Sequence, residues 1–547
     1  MDQRNCSLLV SAGAGSGKTA VLTQRIINRL CDKNDDCNVT DFLVVTFTTA
    51  AAKELSDRIR KKLSDAAIKD PSNKKILRNI ALLPQANIST INAFCYDVVR
   101  KNFQKLGLNA AVRIADDAEI QVIREKIMNR TLSDAFESED KDFSDRLVNV
   151  SEMFSGARDD ENFVGLLLGL DAHLRADTDP EKTKQRVLSM YDNVRTAKDF
   201  FQSEYGRFLK NYSQNLLSEQ LNTLCALEKM CADGDQLENK YLPSVSADTQ
   251  NVRLLLKAVS EKDYTATRDA VRNFAAQKLG SVRNYPDKEL CEIVKTAKSE
   301  CADNIRKKLA DMYCTAERVM RLCALDCSEV LCVMFALEDE FSRRLEETKN
   351  QLGILDFNDV EHLTIKLLTD ENNPGQPSET AISLRERFRE IYIDEYQDVN
   401  PLQDEIFRLI ARTDKNGTEN SRFMVGDIKQ SIYRFRGARP DIFKSYRASF
   451  SDCDTDSSTK RIFMQDNFRC AQSVIELTNF LFVRLMGKDY EDGDALNFSR
   501  IENVPVKSKA ELIVADCKLP EDGDEISAEQ AEAQIIAKKI LEIVNNE

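Results

Sequence analysis

The sequence predicts an α/β fold, a parallel sheet flanked by helices that carries a phosphate-binding loop and is interrupted by a large all-helical insertion. Short apolar runs alternate with helical stretches from residue 7 to about 106, and this alternation returns after residue 354. A glycine-rich segment directly follows the first apolar run and opens a helical stretch. Between the two α/β parts, long charge-rich amphipathic stretches predict helices.

The glycine-rich segment has the composition of a phosphate loop. It consists of Ala12, Gly13, Ala14, Gly15, Ser16, Gly17, Lys18 and Thr19. Glycines let backbone N–H groups turn toward an anion, and the N-terminus of the following helix adds partial positive charge. We expect Lys18 to reach the β- and γ-phosphates of a nucleoside triphosphate and the Thr19 hydroxyl to hold Mg²⁺. Ala12 stands where the general pattern has glycine.

An acidic pair, Asp394 and Glu395, closes the apolar run 390–393. The pattern predicts Asp394 as a Mg²⁺ ligand, and Glu395 as the group that orients and deprotonates the attacking water. Such a pair is weak evidence alone, because most are simply loop carboxylates. Here the phosphate loop requires a partner of this kind, which strengthens the prediction.

Two more polar segments follow predicted strands. In the segment 426–437, Gln430 is a candidate sensor of the γ-phosphate. In the segment 466–469, Phe468 is a candidate to stack on adenine and Arg469 to neutralise charge on the γ-phosphate. In related chemistry such an arginine contributes about 10³–10⁵ in rate. Taken alone, each motif is also compatible with a structural ion pair or a core ring.

Charge and cysteine usage limit the class of protein. The net charge of the 547-residue chain is −14, which argues against uniform coating of nucleic acid but allows a local basic groove. The 15 cysteines are scattered and no CxxC pair occurs. Free thiols without a signal peptide predict a reducing, cytoplasmic environment.

The motifs in their order resemble those of superfamily 1 DNA helicases of the UvrD/Rep/RecB type. The matching segments are AGAGSGKT, VTFTTAAAKEL, STINAFC, LDFNDV, DEYQD, GDIKQSIYRFRG and DNFRC. Within that superfamily the chain is most similar to the AddA family of helicase–nuclease subunits, through the wording VGDIKQSIYRFRGARPDIF and the length of the insertion. The match covers the α/β portions, about half of the chain.

This resemblance implies two RecA-like domains that bind ATP and Mg²⁺ and move 3′ to 5′ along single-stranded DNA, with duplex DNA and an AddB-like subunit as partners. It divides the chain into residues 1–112 and 354–460 of the first RecA-like domain, a helical insertion at 113–353, and the start of a second RecA-like domain at 461–547. The later helicase motifs and a nuclease metal site are not found, so the resemblance implies an N-terminal piece of a larger protein, poorly active alone.

The resemblance also assigns site residues by position. The catalytic group would be Lys18, Glu395, Gln430 and Arg469. The DNA-facing residues would be Thr46, Phe47, Thr48, Thr90, Asn92, Phe94, Tyr433, Phe435 and Arg436. Aromatic rings stack on bases of any sequence, which suits a motor that grips every nucleotide. Gln397 and Gln430 lie between the two ligands and are candidates to couple hydrolysis to grip.

Other functions remain open at this point. Within the family the alternative is a UvrD/PcrA-like repair helicase without a nuclease. Outside it, a non-catalytic DNA-binding or scaffold module would keep the fold, although all the charged motif residues are present. A kinase or GTPase is disfavoured because no guanine-reading Asn-Lys-x-Asp occurs. The insertion is either a DNA contact or a docking surface for a partner subunit.

Overall fold

The computed structural model describes residues 3–154, 161–232, 235–261, 264–282, 285–373, 375–499, 511, 513 and 527–546. The chain forms two compact units. The first, which we call the α/β unit, comprises Met1–Gly107 and Asp359–Glu547; the second, the helical unit, comprises Leu108–Asn358. The predicted insertion, 113–353, lies inside the helical unit.

The strands are β1 Ser7–Ala12, β2 Phe42–Thr46, β3 Asn87–Thr90, β4 Arg113–Ile114, β5 Ile354–Leu355, β6 Glu390–Ile393, β7 Arg422–Gly426, β8 Ser451–Asp452, β9 Thr459–Met464, β10 Asp466–Asn467 and β11 Asn497–Phe498. Seven of them form one sheet in the order β3-β2-β6-β7-β1-β9-β8. Every pairing within this sheet is parallel. The parallel sheet confirms the predicted fold class, and its topology brings the carboxyl ends of six long strands to one edge.

The helices are α1 Lys18–Cys31, α2 Thr49–Lys69, α3 Lys74–Leu82, α4 Ile91–Lys101, α5 Asp117–Phe136, α6 Lys141–Phe154, α7 Glu161–Arg175, α8 Pro180–Asp192, α9 Ala197–Gln202, α10 Glu204–Ala232, α11 Asp235–Lys240, α12 Leu242–Glu261, α13 Tyr264–Arg272, α14 Lys288–Asn304, α15 Ala310–Met312, α16 Glu317–Leu352, α17 Phe357–Leu368, α18 Glu379–Arg387, α19 Pro401–Ile410, α20 Pro440–Ser449, α21 Gln472–Met486 and α22 Ala528–Asn546. Among the described residues, none of these helices has both the length and the apolar character needed to cross a membrane.

The core of the α/β unit lies between the sheet and helices α1 to α3. Leu8, Val44 and Phe423 of three strands pack with Ile26 of α1 and Ile59 of α2, and all five side chains are buried. A parallel sheet is covered on both faces, which is why its strands read as continuous apolar runs in the sequence.

The helical unit consists of α5 to α16 and one short strand pair, β4 with β5. One of its clusters joins α5, α6, α7 and α16 around Leu167 and Phe341. A second joins α10, α12 and α14 around Leu217, Val252 and Val294. The residues from 354 onward, where the sequence suggested a return of the α/β pattern, therefore still belong to the helical unit as β5, and the α/β unit resumes at Asp359.

The structure pairs strand β9 with the first sheet, although the sequence assigned most of this strand to a second domain. The sequence predicted that a second domain starts at residue 461, but β9 pairs with β1 from Ser7 opposite Thr459 to Ala12 opposite Met464. The predicted boundary therefore cuts through a strand of the first sheet. A motif marks where functional residues stand, whereas a domain boundary depends on strand pairing that the motif does not encode. Most of the predicted domain after residue 499 lies outside the described residues.

Candidate nucleotide site

The glycine-rich loop joins β1 to α1 at the middle of the sheet edge. Gly15 and Gly17 have φ values of +71° and +89°, in the left-handed region that favours glycine. Helix α1 begins at Lys18, so Lys18 and Thr19 occupy its first turn. The free N–H groups and the dipole of a helix N-terminus favour a bound anion there. Ala12, the residue that departs from the general pattern, is the buried last residue of β1.

Lys18 brings together residues that are far apart in the sequence. Its Nζ donates to Glu395 Oε2 at 3.0 Å and to Gln430 Oε1 at 3.3 Å. Glu395 follows β6 and Gln430 follows β7, so the contacts join three neighbouring strand ends. The structure thus places two of the predicted catalytic residues, Glu395 and Gln430, within hydrogen-bonding distance of a third, Lys18.

Asp394 lies beside this group and is 8% exposed. Burial, together with repulsion from Glu395, raises the pKa of Asp394 to about 6, although Lys18 opposes the shift. A buried carboxylate that is costly to ionise is stabilised by a divalent cation, which favours its charged form. Thr19, the other predicted Mg²⁺ ligand, lines the same cleft. The two residues fit a Mg²⁺ site.

Glu395 has an unusual backbone for a non-glycine residue, with φ +53° in the left-handed region. Such strain is held in place by surrounding contacts and occurs often at functional sites. Gln397 Nε2 donates to Glu395 Oε2 at 2.9 Å, and Gln397 Oε1 accepts from the backbone N–H of Asp427 at 2.9 Å. Gln397 therefore ties the carboxylate of Glu395 to the end of β7.

The orientation of Gln430 is fixed by its second contact. Gln430 Nε2 donates to Asp427 Oδ2 at 2.7 Å, which turns Gln430 Oε1 toward Lys18. Asp427 is itself buried and pairs with Lys429 at 3.1 Å. The amide of Gln430 is therefore held in one orientation beside the lysine.

The segment after β9 contacts the phosphate loop directly. The backbone N–H of Phe468 donates to the carbonyl of Gly15 at 3.1 Å, and Asn467 Nδ2 donates to the carbonyl of Ala14 at 2.6 Å. The side chains of Phe468 and Arg469 are exposed. Both thus lie beside the loop and remain accessible to a ligand bound there.

A cleft of about 350 Å³ continues from Thr19, Asp394 and Gln430 to the predicted DNA-facing residues Phe47 and Tyr433. The rings of Phe47 and Tyr433 are parallel within 2°, with centroids 6.5 Å apart. Residues predicted to bind Mg²⁺ and the triphosphate therefore share one continuous depression with aromatic side chains.

The rim of the cleft carries a second set of rings. Phe435 is 78% exposed, and its ring centroid lies 5.9 Å from that of Tyr433. The Arg436 guanidinium lies 5.5 Å from the Tyr433 centroid and 5.6 Å from that of Phe435. A cation held over aromatic faces is suited to a nucleic-acid backbone and its bases.

Other predicted DNA-facing residues are placed differently. Phe94 is 7% exposed and packs edge-to-face on Phe388, so its position in the core does not fit the predicted stacking on a base. Thr46 lines the cleft but is only 2% exposed, and its hydroxyl donates to the Thr48 carbonyl. The sequence alone does not reveal how deeply each of these two side chains is buried.

The threonines at two helix starts have structural partners. Thr48 accepts from the backbone N–H of Ala51 at the start of α2, and Thr90 accepts from that of Ala93 at the start of α4. Each cap stabilises its helix by roughly 1 kcal/mol. Asn92, in the first turn of α4, is half-buried. Contacts of these three residues with DNA stay predictions.

Three residues near the site were not predicted from the sequence. Arg58 of α2 lines the cleft and lowers the pKa of Asp394, opposing the effect of burial. Leu496 packs on the phosphate loop, because a Cβ added at Gly13 would lie 2.1 Å from its Cδ2. The third, Asn467, lies within the DNFRC motif itself. The motif gave a signal for Asn467, whereas only the fold reveals the other two.

Comparison with protein families defines the class. Residues 2–451 match the model of the UvrD/REP helicase N-terminal domain. Since this match covers most of the chain, the protein belongs to the UvrD/REP helicase family. All the motifs that surround Lys18, up to the segment containing Arg436, fall within the matched range.

Among individual relatives, the chain is similar to three bacterial proteins whose names describe the A subunit of an ATP-dependent helicase/nuclease. It is 32% identical to that of Acetivibrio thermocellus, over 98% of this chain and 45% of the relative. It is 30% identical to that of Clostridium perfringens, over 100% of this chain and 45% of the relative. For Thermoanaerobacter sp. the identity is 32%, over 92% and 40%. The chain thus spans a little under half the length of these relatives.

Proposed function

We propose that this chain is the ATP-driven motor part of a DNA helicase of the AddA type, which moves 3′ to 5′ along single-stranded DNA in a helicase–nuclease that processes double-strand breaks. The observation that carries the proposal is the contact of Lys18 Nζ with both Glu395 and Gln430, in a cleft that continues to Tyr433. Membership of the UvrD/REP family and the names of the relatives support it.

In this proposal the chain holds ATP and Mg²⁺ with residues already in place. The loop 12–19 and Lys18 bind the phosphates, Phe468 stacks on adenine, and Thr19 and Asp394 hold the metal. Bound Mg²⁺ neutralises charge on the β- and γ-phosphate oxygens. The fit rests on the helix N-terminus at Lys18 and on the raised pKa of Asp394.

Glu395 has the catalytic role of orienting the attacking water and accepting its proton. In the structure Glu395 is paired with Lys18, with Nζ and Oε2 3.0 Å apart. Phosphate oxygens compete for the same ammonium, so we infer that nucleotide binding draws Lys18 away and leaves Glu395 free to act on water. Gln430 and Arg469 contact the γ-phosphate in this arrangement.

Coupling to DNA would follow the polar chain at the strand ends. Gln397 joins Glu395 to the end of β7, and Gln430 joins Lys18 to Asp427 in the loop that follows. Tyr433 stands three residues after Gln430 in the same loop. A change in contacts at the γ-phosphate would thus reach the aromatic rings through a short, rigid connection.

The partners are single-stranded and duplex DNA and an AddB-like subunit. The relatives' names call each of them a subunit, which supports a partner subunit for this chain by analogy. A protein that acts on a bacterial chromosome works in the cytoplasm, and this is the location we propose.

The test of the nucleotide site is Lys18→Ala in this chain, titrated with fluorescent ATP and Mg²⁺. Loss of a lysine that makes charge-assisted bonds should weaken binding by at least about tenfold. Lys62→Ala is the matched control, because Lys62 on α2 bonds Gln24 and does not line the cleft. Unchanged affinity in the Lys18 variant, or an equal loss in both variants, would contradict the proposal.

A further inference from the structure

The phosphate loop is clamped by the segment that follows β9. Asn467 Nδ2 donates to the carbonyl of Ala14 at 2.6 Å. The next residue donates its backbone N–H to the carbonyl of Gly15 at 3.1 Å. The approach is so close that a Cβ at Gly15 would lie 2.9 Å from Asn467 Nδ2. The loop and this segment therefore cannot shift independently without breaking these bonds.

Asn467 also fixes the chain on its other side. Its Oδ1 accepts from the backbone N–H groups of Arg469 at 2.9 Å and Cys470 at 2.8 Å. An asparagine that bonds the backbone two or three residues ahead sets the direction of a turn. Asn467 is 1% exposed, so water does not compete for these bonds. One amide thus joins the loop carbonyl to the backbone of Arg469.

The hydrogen bonds of Asn467 require both the nitrogen and the oxygen of its side-chain amide. Asn467 donates through nitrogen and accepts twice through oxygen, whereas a serine or threonine hydroxyl has to donate and accept through a single atom. Aspartate would keep the two accepted bonds but place an oxygen against the carbonyl of Ala14. Serine would retain at most a weaker turn and is too short to reach Ala14 as well.

We propose that Asn467 is a positioning residue that sets the Arg469 guanidinium relative to the phosphate loop, so that both contact the same triphosphate. The inference rests on the proposed function, because it assumes that Arg469 contacts the γ-phosphate. Asn467 itself does not touch the nucleotide. Its effect is confined to the γ-phosphate, whereas the loop alone binds the rest of the phosphate chain.

A purely structural asparagine provides the matched control. Asn79 of α3 is fully buried, accepts from the backbone N–H of Val39 at 2.8 Å and donates to the carbonyl of Lys75 at 3.1 Å. It lies beside the far end of α1, where its amide also reaches the carbonyl of Leu30. Asn79→Ser removes the same kind of buried bonds without touching the loop.

The experiment compares dissociation constants for ADP and for the non-hydrolysable ATP analogue AMP-PNP, both with Mg²⁺. The wild type should bind AMP-PNP more tightly than ADP, and this preference measures the γ-phosphate contacts. Asn467→Ser and Arg469→Ala should each reduce the preference by about tenfold, the value of one charge-assisted bond. The double variant should lose no more than Arg469→Ala alone, while affinity for ADP stays within about threefold. Asn79→Ser should keep the preference.

Asn467→Asp checks the outcome if the serine variant folds poorly, since it keeps the turn, loses the bond to Ala14 and sets a charged oxygen against that carbonyl. It should lower the preference for AMP-PNP as well. Equal losses for ADP and AMP-PNP, or additive losses in the double variant, would overturn the positioning role. If the wild type binds neither nucleotide, or if Lys18→Ala leaves nucleotide affinity unchanged, the proposed function is refuted and the inference with it.

Discussion

Buried carboxylates in the two units can be compared by whether a cation pairs with them. In the helical unit, Asp248 and Lys298 are both buried and form an ion pair of 2.5 Å, and Asp356 pairs with Arg175 at 2.8 Å. The α/β unit also contains buried ion pairs, such as Arg25 with Glu390, but Asp394 at the end of β6 is buried as well. Within the described residues it has no ion-pair partner, and its pKa is raised to about 6.

This difference distinguishes carboxylates that stabilise the fold from a carboxylate that is available to a ligand. A buried charge is costly unless it is paired, and a protein that keeps an unpaired one retains it for a ligand of opposite charge. The paired carboxylates of the helical unit are satisfied internally and complete the packing of their helices. The carboxylate of Asp394 accepts the backbone N–H of Glu395 at 3.1 Å but forms no ion pair among the described residues, so we expect it to bind a cation that enters the cleft.

Replacing a paired carboxylate should have the largest effect. Asp248→Asn leaves the Lys298 ammonium buried without its counter-charge, and we expect the helical unit to lose about 3–5 kcal/mol of unfolding free energy. Urea denaturation followed by circular dichroism measures the loss. Adding Lys298→Met should recover most of it, because an apolar side chain of similar length needs no partner. A loss below about 1 kcal/mol would show that water reaches the pair.

The corresponding substitution in the cleft, Asp394→Asn, should stabilise the protein rather than destabilise it. The pKa of Asp394 rises from 3.8 to about 6 on folding, so the native state binds more protons than the unfolded state between these values. Stability therefore falls as the pH rises through this range and stays lower above it. Asp394→Asn removes this penalty and should stabilise the α/β unit by about 2–3 kcal/mol at pH 7.5.

The pH dependence is the check on that prediction. Thermal melts of the wild type and Asp394→Asn should differ most above pH 6 and converge below pH 3.8, where the wild-type carboxylate becomes protonated in the unfolded state as well as in the folded state. With nucleotide present, Mg²⁺ should stabilise only the wild type. Destabilisation at neutral pH would mean that Asp394 is paired in solution and that its contrast with Asp248 is false.

The sequence predicted the parts of the site that depend on strand ends. Lys18, Glu395 and Gln430 each follow an apolar run, and parallel strands bring such positions to one edge. The sequence did not reveal which side of a helix a motif residue faces, so Phe94 was predicted on the DNA and lies in the core. It also did not reveal Asn467 as a clamp, because its partner Ala14 lies 453 positions away.

The units also differ in their exposed rings. In the α/β unit, Phe435 adjoins Tyr433 and the Arg436 guanidinium at the rim of the cleft. In the helical unit, Phe208 of α10 is comparably exposed, at 65% against 78% for Phe435. Exposure alone does not mark a binding surface, since single exposed apolar side chains are common. We infer that only the ring beside a cation and a second ring contacts DNA.

Substituting these two rings should have the smallest effect and tests this inference most directly. Phe435→Ala should weaken binding of single-stranded DNA by about 1–3 kcal/mol, the contribution of one stacked base, with similar loss for different sequences. Phe208→Ala should leave binding unchanged. Fluorescence anisotropy with a labelled oligonucleotide at several salt concentrations measures both, and phosphate contacts should make affinity fall steeply with salt. Equal effects of the two substitutions would move the DNA contact away from the cleft, and a response independent of salt would exclude a groove that follows the backbone.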